Sequence, residues 1–591
     1  IVIDSRDVFA STADGEFWVA RGDSEIAQRA DPYERRAFRD PHPLDNDPAL
    51  FDDGNGYRII LGSLGLKAAA NDNTVLIAPA RTFDTMTNAP VGGVYFSFNK
   101  YQIMVEQQPT LDEGVDPASN AAPQVFERDE EYSIATYNVE NLYDRRDDPF
   151  DGCDFTGNPG CPGVNPPFDY VPGSQAVYDA HLDDIAHQII SDLHGPDILL
   201  VQEAEDQDIC AVSSGAMACG AVNNADGRPD TLQELALRMA ALGGPSYEAA
   251  YDRDGADDRG IVSAFLYRTD RVELMPASPA DPVLGSSATI TYRGAALPYN
   301  ADVQNPKALN ADLPGDVDLS TGVDGSNVFT RPPQVGLFRI WRQAVGVGMF
   351  VDLYALSNHF SSTPDARVGQ RTEQALYNAA IVAALQAVDP DVPVSVGGDL
   401  NVYPRPDDPF PPGHALHPSD QLGPLYEQGL LNLFDQLLED EPRSAYSYIF
   451  QGQTQTLDQI FVTPSLMEAF VVMRAAHVNS DWPADYDGDG PRGASDHDPQ
   501  VARVSILTLD GLMNLLNYYA DIGAITGNNT LANLMRHLEQ AGDALGKSNG
   551  PEFRAQLQAF AHQVLGFSPQ FVTPEAAEAL AAEAERLAEG G

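Results

Sequence analysis

Lysine and arginine are scarce in this chain. Together they number 35 in 591 residues, against 87 aspartates and glutamates, for a formal net charge of -52. A field of that sign opposes long-range attraction of any polyanion. A nucleic acid, if bound, must be gripped locally; bound divalent cations could supply that grip, and salt shortens the reach of distant carboxylates to about 8 Å at physiological ionic strength. The same charge suits solubility in saline surroundings.

Long apolar runs are missing too, so no stable membrane insertion is expected. The chain opens at Ile1, without methionine or an apolar leader, as expected of a mature or trimmed chain. Cysteine is rare: Cys153 with Cys161 and Cys210 with Cys219 form two close pairs in Gly/Asn/Pro-rich stretches. Neither pair has the CxxC spacing of a metal site. Two local disulfides are expected, and with them an exported protein, extracellular or at the cell surface.

What is present is ordinary globular material, 43% hydrophobic and 21% charged, at a length that predicts two to four domains. From Gly15 to Glu106 short alternating segments such as Phe17-Trp18-Val19 and Ile59-Ile60-Leu61 are parted by Asp/Gly/Asn turns, the pattern of a small antiparallel β domain. Gly93 to Val105 reads as a hairpin turning near Asn99-Lys100, and Thr110 to Gln124, without periodicity, as a linker. Beyond it, buried-type strands (Ser133 to Val139, Asp197 to Gln202, Ser263 to Tyr267, Leu353 to Ser357, Val392 to Val396) alternate with helical stretches (Ala180 to Leu193, Val368 to Leu385), an α/β core. Pro276 to Pro333 is polar and turn-rich and reads as a surface insertion. After Arg503 apolar residues keep helical spacing, and Thr573-Pro574-Glu575 opens a last helix with a Thr cap and Pro at its first position. This yields a β domain over 1–109, a linker over 110–130, an α/β domain over 131–506 and a helical unit over 507–591. The helical unit holds no chemistry-bearing cluster and is expected to bind a protein or surface partner or to act as a spacer.

Six polar clusters each sit at the end of a predicted strand: Tyr137-Asn138-Val139-Glu140-Asn141, Val201-Gln202-Glu203, Ser357-Asn358-His359-Phe360, Gly397-Gly398-Asp399-Leu400-Asn401, Thr456-Leu457-Asp458-Gln459-Ile460-Phe461 and Ala494-Ser495-Asp496-His497-Asp498-Pro499. Singly, each is an ordinary strand cap. Together they converge only if the strands lie side by side, as an active site on an α/β scaffold requires.

In order and spacing the six resemble the motifs of the endonuclease/exonuclease/phosphatase superfamily, which includes pancreatic-type deoxyribonucleases, abasic-site endonucleases, sphingomyelinases and inositol phosphatases. The resemblance runs from about Tyr132 to Val504. It implies a DNase I-like four-layered α/β sandwich with two mixed sheets back to back. Within the superfamily the chain looks most like secreted bacterial nucleases in which an OB-like β domain precedes the catalytic one.

Phosphodiester hydrolysis brings hydroxide to an anionic phosphorus and expels an alkoxide, so positive charge, a base and an acid must surround one phosphate. None of the six clusters contains Lys or Arg. A metal must supply the charge, and carboxylate and amide oxygens suit magnesium or manganese, with calcium as a further ion. Carried over by resemblance, Glu203 is the principal metal ligand, supported by Asn138 and Asp496, and Glu140 matches a position tied to a second ion. His497 oriented by Asp458 activates water, Asp399 aligns it, Asn401 stabilises the pentavalent phosphorus and His359 protonates the leaving oxygen. Either Asp399 or His497 serves as the base. Asn358 is assigned to substrate binding. Arg371 has the reach to meet a substrate phosphate, as does Arg367, although on a helix both suit surface ion pairs equally. Asp485 to Gly490 resembles a calcium loop but lacks the distal Glu of an EF-hand.

The leading expectation is an extracellular metal-dependent nuclease cutting DNA, with RNA as a further substrate, whose β domain stacks single strands on Trp18 and Phe96. The alternatives are a phosphodiesterase or phosphatase for phospholipid head groups or nucleotides, and an inactive nuclease-like surface binding protein.

Overall fold

The structure is a computed structural model that describes residues 1–9, 14–39, 42–44, 58–70, 72, 74–97, 99–145, 171–206, 210–213, 216–218, 229–257, 260–286, 290–292, 295–296, 302–309, 328–329, 331–364, 366–404, 419–484, 486, 488, 490–527 and 529–590. Cys153, Cys161, Cys219 and three acidic positions of the calcium-like loop lie outside them. Of the two expected disulfides, only Cys210 is therefore described. It is buried, with its N–H donating to Gln233 Oε1.

The first 105 residues form a five-stranded sheet in the order Val2–Phe9, Asp14–Ala20, Arg58–Gly62, Lys100–Val105, Gly92–Ser97. All neighbours are antiparallel except Arg58–Gly62 with Lys100–Val105, which run parallel. The hairpin expected at Asn99-Lys100 pairs Ser97 with Lys100, and Asn99 takes the left-handed conformation (φ 60°) that the turn needs. Val2, Phe17, Val19, Leu61, Ile77 and Val105 fill the core of this sheet. The stretch expected to be a linker is instead packed down. Leu111–Asp112 pairs with Thr85–Met86, and Asn120 is buried with its amide donating to Arg443 O at 2.8 Å.

Two larger sheets follow. One has the order Tyr247–Ala250, Ile261–Arg268, Ile198–Glu205, Glu131–Leu142, Gln500–Ser505, Phe470–Ala475. The other has Val272–Leu274, Gln334–Trp341, Phe350–His359, Val394–Asp399, Asp458–Val462, Leu431–Asn432, with Lys307–Ala308 added beside Gln334–Trp341. Ile134, Leu200 and Phe265 of the first sheet share an apolar cluster with Phe338, Leu353, Ala355 and Ile460 of the second, so the sheets face one another. Helices Gln175–His187 and Thr231–Ala241 cover the far side of the first sheet, and helix Val368–Gln386 covers the far side of the second. Strands buried on both faces explain why Ile198–Glu205 and Val394–Asp399 read as continuous apolar runs rather than alternating ones.

The stretch from Pro276 to Pro333 is not only surface. Among its described residues Val283, Leu284, Ile290, Tyr292, Leu309, Val328 and Phe329 are buried against helix Val368–Gln386. Short apolar pairs embedded in polar sequence carry no periodicity, which is why the sequence reads as loop.

Four helices, Leu509–Asp521, Thr530–Gly546, Gly550–Phe567 and Pro574–Gly590, close the chain. Their apolar faces meet one another and also Trp341 and Phe350 of the second sheet and Met349 of the turn between them. Arg342 and Glu583, both buried, join the two units in an ion pair with Nε at 2.9 Å and a terminal nitrogen at 2.8 Å. No helix among the described residues is long and apolar enough to cross a membrane.

Candidate active site

Each sheet contains one parallel pair, Glu131–Leu142 with Ile198–Glu205 and Phe350–His359 with Val394–Asp399. The C-terminal ends of these four strands reach one edge of the molecule. Their antiparallel partners Asp458–Val462 and Gln500–Ser505 begin at that same edge, with Asp399 opposite Asp458 and Gln500 opposite Thr136. All six clusters meet there. Buried polar contacts seal the seam between the sheets: Gln202 Nε2 donates to Ser357 Oγ at 3.3 Å, and Asn138 Nδ2 donates to Asp399 Oδ2 at 3.2 Å.

The backbone bends sharply at the functional positions. Glu140, Asn141, Glu203 and Asn401 all have positive φ, 50° to 65°, although none is glycine. Such conformations cost on the order of 1–3 kcal/mol each and persist where surroundings over-determine them. A register shift in the parallel pair between Asn138 and Leu142 accompanies them, and Glu203 lines the cleft. Gly398 is obligatory: its φ is 136°, and a Cβ there would stand 1.9 Å from the Asn358 carbonyl oxygen.

In the cleft, of about 400 Å³, lie Glu203, His359, Asp399, Asn401, Asp496 and His497. His497 Nδ1 is 2.7 Å from Asp458 Oδ2, and its Nε2 is 3.8 Å from Asp399 Oδ2 and 3.9 Å from Asp496 Oδ1. His359 Nε2 stands 3.3 Å from Asp399 Oδ2 and 3.6 Å from Glu203 Oε1. Asn401 donates its backbone N–H to Asp399 Oδ1 at 2.9 Å and its side-chain amide to Oδ2 at 3.0 Å. Asn138 Oδ1 accepts the Glu140 N–H at 3.0 Å, and Glu203 Oε2 accepts the Asn141 N–H at 3.1 Å.

Crowded carboxylates set the electrostatics. Burial, then the charges of Asp458 and Glu203, push Asp399 up to about 7 against the pull of His497. Glu140 and Asp496 reach solvent at the rim. The surrounding walls and the charges of nearby carboxylates raise Glu140 well above, and Asp496 above, the usual carboxylate range. Burial opposes charge on His497, yet Asp458, Asp496 and Asp399 outweigh it and hold the imidazole well above its ordinary value. So many acids around one space call for a cation. Asp399, Asp458 and His497 offer ligand atoms within 4.8 Å of one another. This set shares no residue with the expected ligands Glu203, Glu140, Asn138 and Asp496, although Asp496 Oδ1 lies 3.9 Å from His497 Nε2 and Asn138 bonds Asp399.

The structure corrects Arg371. It does not line the cleft; it is fully buried, its guanidinium held by the carbonyls of Ser361, Ser362, Thr363, Pro364 and Ala366 and by Gln421 Oε1. An arginine one turn into a helix covers the loop before that helix, and here it secures the loop that follows His359. Arg367 precedes the helix with φ 54°. Asn358 is buried beneath the cleft, its amide donating to Leu356 O at 3.4 Å.

Several contacts at the site had no sequence signal. Ser495 Oγ donates to Asn138 O at 2.7 Å and accepts the His497 N–H at 3.1 Å, tying two clusters together. Ser447 Oγ accepts the N–H groups of Leu457 and Asp458, both at 3.2 Å. The Tyr448 ring lies 4.7 Å from that of His497. Arg39, from the N-terminal domain, also lines the cleft. The apolar, β-prone run Tyr448-Ile449-Phe450 suits a strand, but nothing in the sequence places it beside His497.

The site is of the kind that carries two histidines and several acids at the mouth of a two-sheet α/β domain. Residues 509–589 match the family profile of the FIMAH domain. No curated relative matches the chain. Among solved structures the chain is similar to TDP2 from C. elegans, at 13% identity over 64% of this chain and 75% of that one, with a TM-score of 0.32. It is also similar to an endonuclease/exonuclease/phosphatase family protein from Bacteroides thetaiotaomicron (14% identity, 64% and 95% covered, TM-score 0.32) and to the human Nocturnin catalytic domain (14%, 63% and 93%, TM-score 0.31). At such TM-scores the superpositions carry no weight for fold or activity.

Proposed function

We propose that the cleft hydrolyses phosphodiester bonds with a divalent metal ion, that the two-sheet domain is a DNase I-like four-layered sandwich, and that the substrate is nucleic acid, DNA foremost. The observation that carries this reading is the convergence of six strand ends on one space holding Glu203, His359, Asp399, Asn401, Asp496 and His497. Glu203, Asn138, Asp496 and Glu140 would hold the ion, magnesium or manganese, which supplies positive charge for the phosphate and lowers the pKa of bound water.

The protein's own groups divide the remaining work. Asp458, bonded to Nδ1 of His497, fixes the tautomer that leaves Nε2 facing the cleft; a cation bound among the carboxylates would offset the charges that raise the imidazole, and neutral Nε2 then takes a proton from water. Asp399, held by both amides of Asn401, aligns that water, and the Asn401 side chain faces the phosphorus oxygens. His359, between Glu203 and Asp399, is placed to return a proton to the leaving oxygen.

The reading extends to an exported protein with two disulfides and an OB-like N-terminal domain. The strand order of that domain and its single parallel pair support the OB-like assignment. Trp18 packs on Gly452 beside the cleft and Phe96 is exposed, an arrangement suited to stacking unpaired bases. The helical unit serves a protein or surface partner.

Supercoiled plasmid incubated with magnesium or manganese, with and without chelator, beside Glu203→Ala, tests the reading. Metal-dependent nicking lost in the variant is expected. Intact plasmid in every lane would overturn the nuclease assignment and direct attention to lipid and nucleotide phosphodiesters.

A further inference from the structure

Positive charge reaches the cleft from outside the two-sheet domain. Arg39 is the one arginine or lysine among the described residues that line it. The segment carrying it is tied to Thr454 by an isolated bridge: Arg39 donates its N–H to Thr454 O at 2.9 Å, Thr454 donates to Ala37 O at 2.7 Å, and Phe38 faces Thr454 in parallel. Thr454 belongs to the hairpin Tyr448–Phe450 and Gln453–Gln455, which walls the cleft. The Arg39 guanidinium carbon lies 5.1 Å from the centre of the Tyr403 ring, another lining residue, and the side chain is mostly buried.

Three residues earlier an anchor fixes this segment. Arg36 is completely buried, paired with Asp481 at 3.0 Å and donating to Tyr446 Oη at 2.5 Å, between the rings of Phe83 and Tyr446 at 4.5 and 4.0 Å. His477, Asp481 and Asp498 cluster closely enough to suit a metal ion. Here Arg36 brings the cation, while His477 is committed to Asp498 and Ser444, both at 2.9 Å. Buried charge must be paired to be tolerated, so Arg36 cannot slide without stranding Asp481. Asn479, whose N–H donates to Asp498, donates its amide to the His497 carbonyl at 2.8 Å, so the anchor adjoins the catalytic histidine.

We propose that Arg39 is a substrate-binding residue: the N-terminal domain completes the cleft by supplying the guanidinium that grips a phosphate of the bound strand beside the one attacked. This rests on the phosphodiester reading and deepens it. A planar guanidinium offers paired donors to phosphate oxygens, and the Tyr403 ring beside it orients its plane. In a chain of net charge -52 this is the local attraction the substrate needs.

The test uses the full chain with Arg39→Gln and Arg39→Met, which keep the stem, and Arg39→Lys, which keeps the charge. Binding of a fluorescein-labelled single-stranded DNA 12-mer is followed by anisotropy in EDTA and in calcium across a salt series. Turnover of the same strand is measured in magnesium. We expect Arg39→Gln and Arg39→Met to lose about tenfold in affinity, and the slope of log K against log salt to become shallower by about 0.7, one phosphate's share on a single strand. Arg39→Lys should keep the slope. KM should rise in the neutral variants while kcat stays within about twofold. Unchanged affinity and slope in both neutral variants, or no binding by the wild type in either buffer, overturns the proposal. Glu203→Ala keeps the two readings apart, since it should abolish turnover and retain the Arg39-dependent slope in EDTA. Absent turnover in the wild type with the Arg39 slope effect intact would sink the phosphodiesterase reading and leave the anion site standing.

Discussion

His497 Nδ1 meets Asp458 Oδ2 at 2.7 Å, and both side chains are buried. The bond determines which imidazole nitrogen faces the cleft. Asp458→Asn preserves the shape but can leave the wrong tautomer, so kcat should fall by about 10³ to 10⁴ with little change in KM. Steady-state kinetics with circular dichroism as the folding control checks this. A loss below tenfold would remove His497 from proton transfer.

Glu203 should couple metal to stability. A divalent ion at about 100 times its Kd stabilises the folded protein by about 2.7 kcal/mol. Differential scanning calorimetry of the wild type should show the melting temperature rise with magnesium or manganese and return with chelator. In Glu203→Ala the metal-dependent rise should vanish. An equal rise in the variant would place the ion elsewhere.

Asp230 gives the protein a pH signature away from the cleft. Burial pushes its carboxyl to about 7, against 3.8 in the unfolded chain, although Tyr251 and the Gln233 N–H bond to it. The folded value is the higher one. The associated stability is therefore fully present below about pH 3.8, declines as the unfolded chain releases its proton and is lost as pH rises through 7. Asp230→Asn keeps the helix cap and removes the titration. Its melting temperature relative to the wild type should climb between pH 5 and pH 8, on the order of a few degrees. A constant difference would show that Asp230 is ionised at both.

The Arg342–Glu583 pair should hold the helical unit rigidly on the second sheet. Glu583→Ala leaves buried Arg342 with only exposed Asp129, 3.6 Å away, and should cost on the order of 3 kcal/mol, while Arg342→Met with Glu583→Leu should recover most of it. Trp341 sits in the same interface, so its fluorescence during urea unfolding reports the docking. Equal stability of wild type and Glu583→Ala would mean the pair is dispensable.

Much of the site was legible because chemistry-bearing residues sit at strand ends, and buried strands leave continuous apolar runs that mark where those ends fall. Asn138, Glu203, His359, Asp399, Asp458 and His497 were each read from such a boundary. Arg371 was misread, since a helical arginine has reach in every direction until packing removes all but one. The apolar pairs between Pro276 and Pro333 were missed for a related reason: their burial depends on helix Val368–Gln386, far along the chain.

Local sequence by itself determined the alternation of elements, the hairpin at Asn99, the helical character of the last 80 or so residues matched by the FIMAH profile, and the residue types available for chemistry. These follow from backbone propensity and hydrophobic period, which are properties of short windows. Tertiary structure alone decided that two sheets stack with their edges aligned, that buried Arg36 pairs with Asp481 in the cluster of His477, Asp481 and Asp498, and that Arg39 stands in the cleft with Tyr403. Those outcomes depend on contacts between residues hundreds of positions apart, whose energies arise only when both partners are buried together.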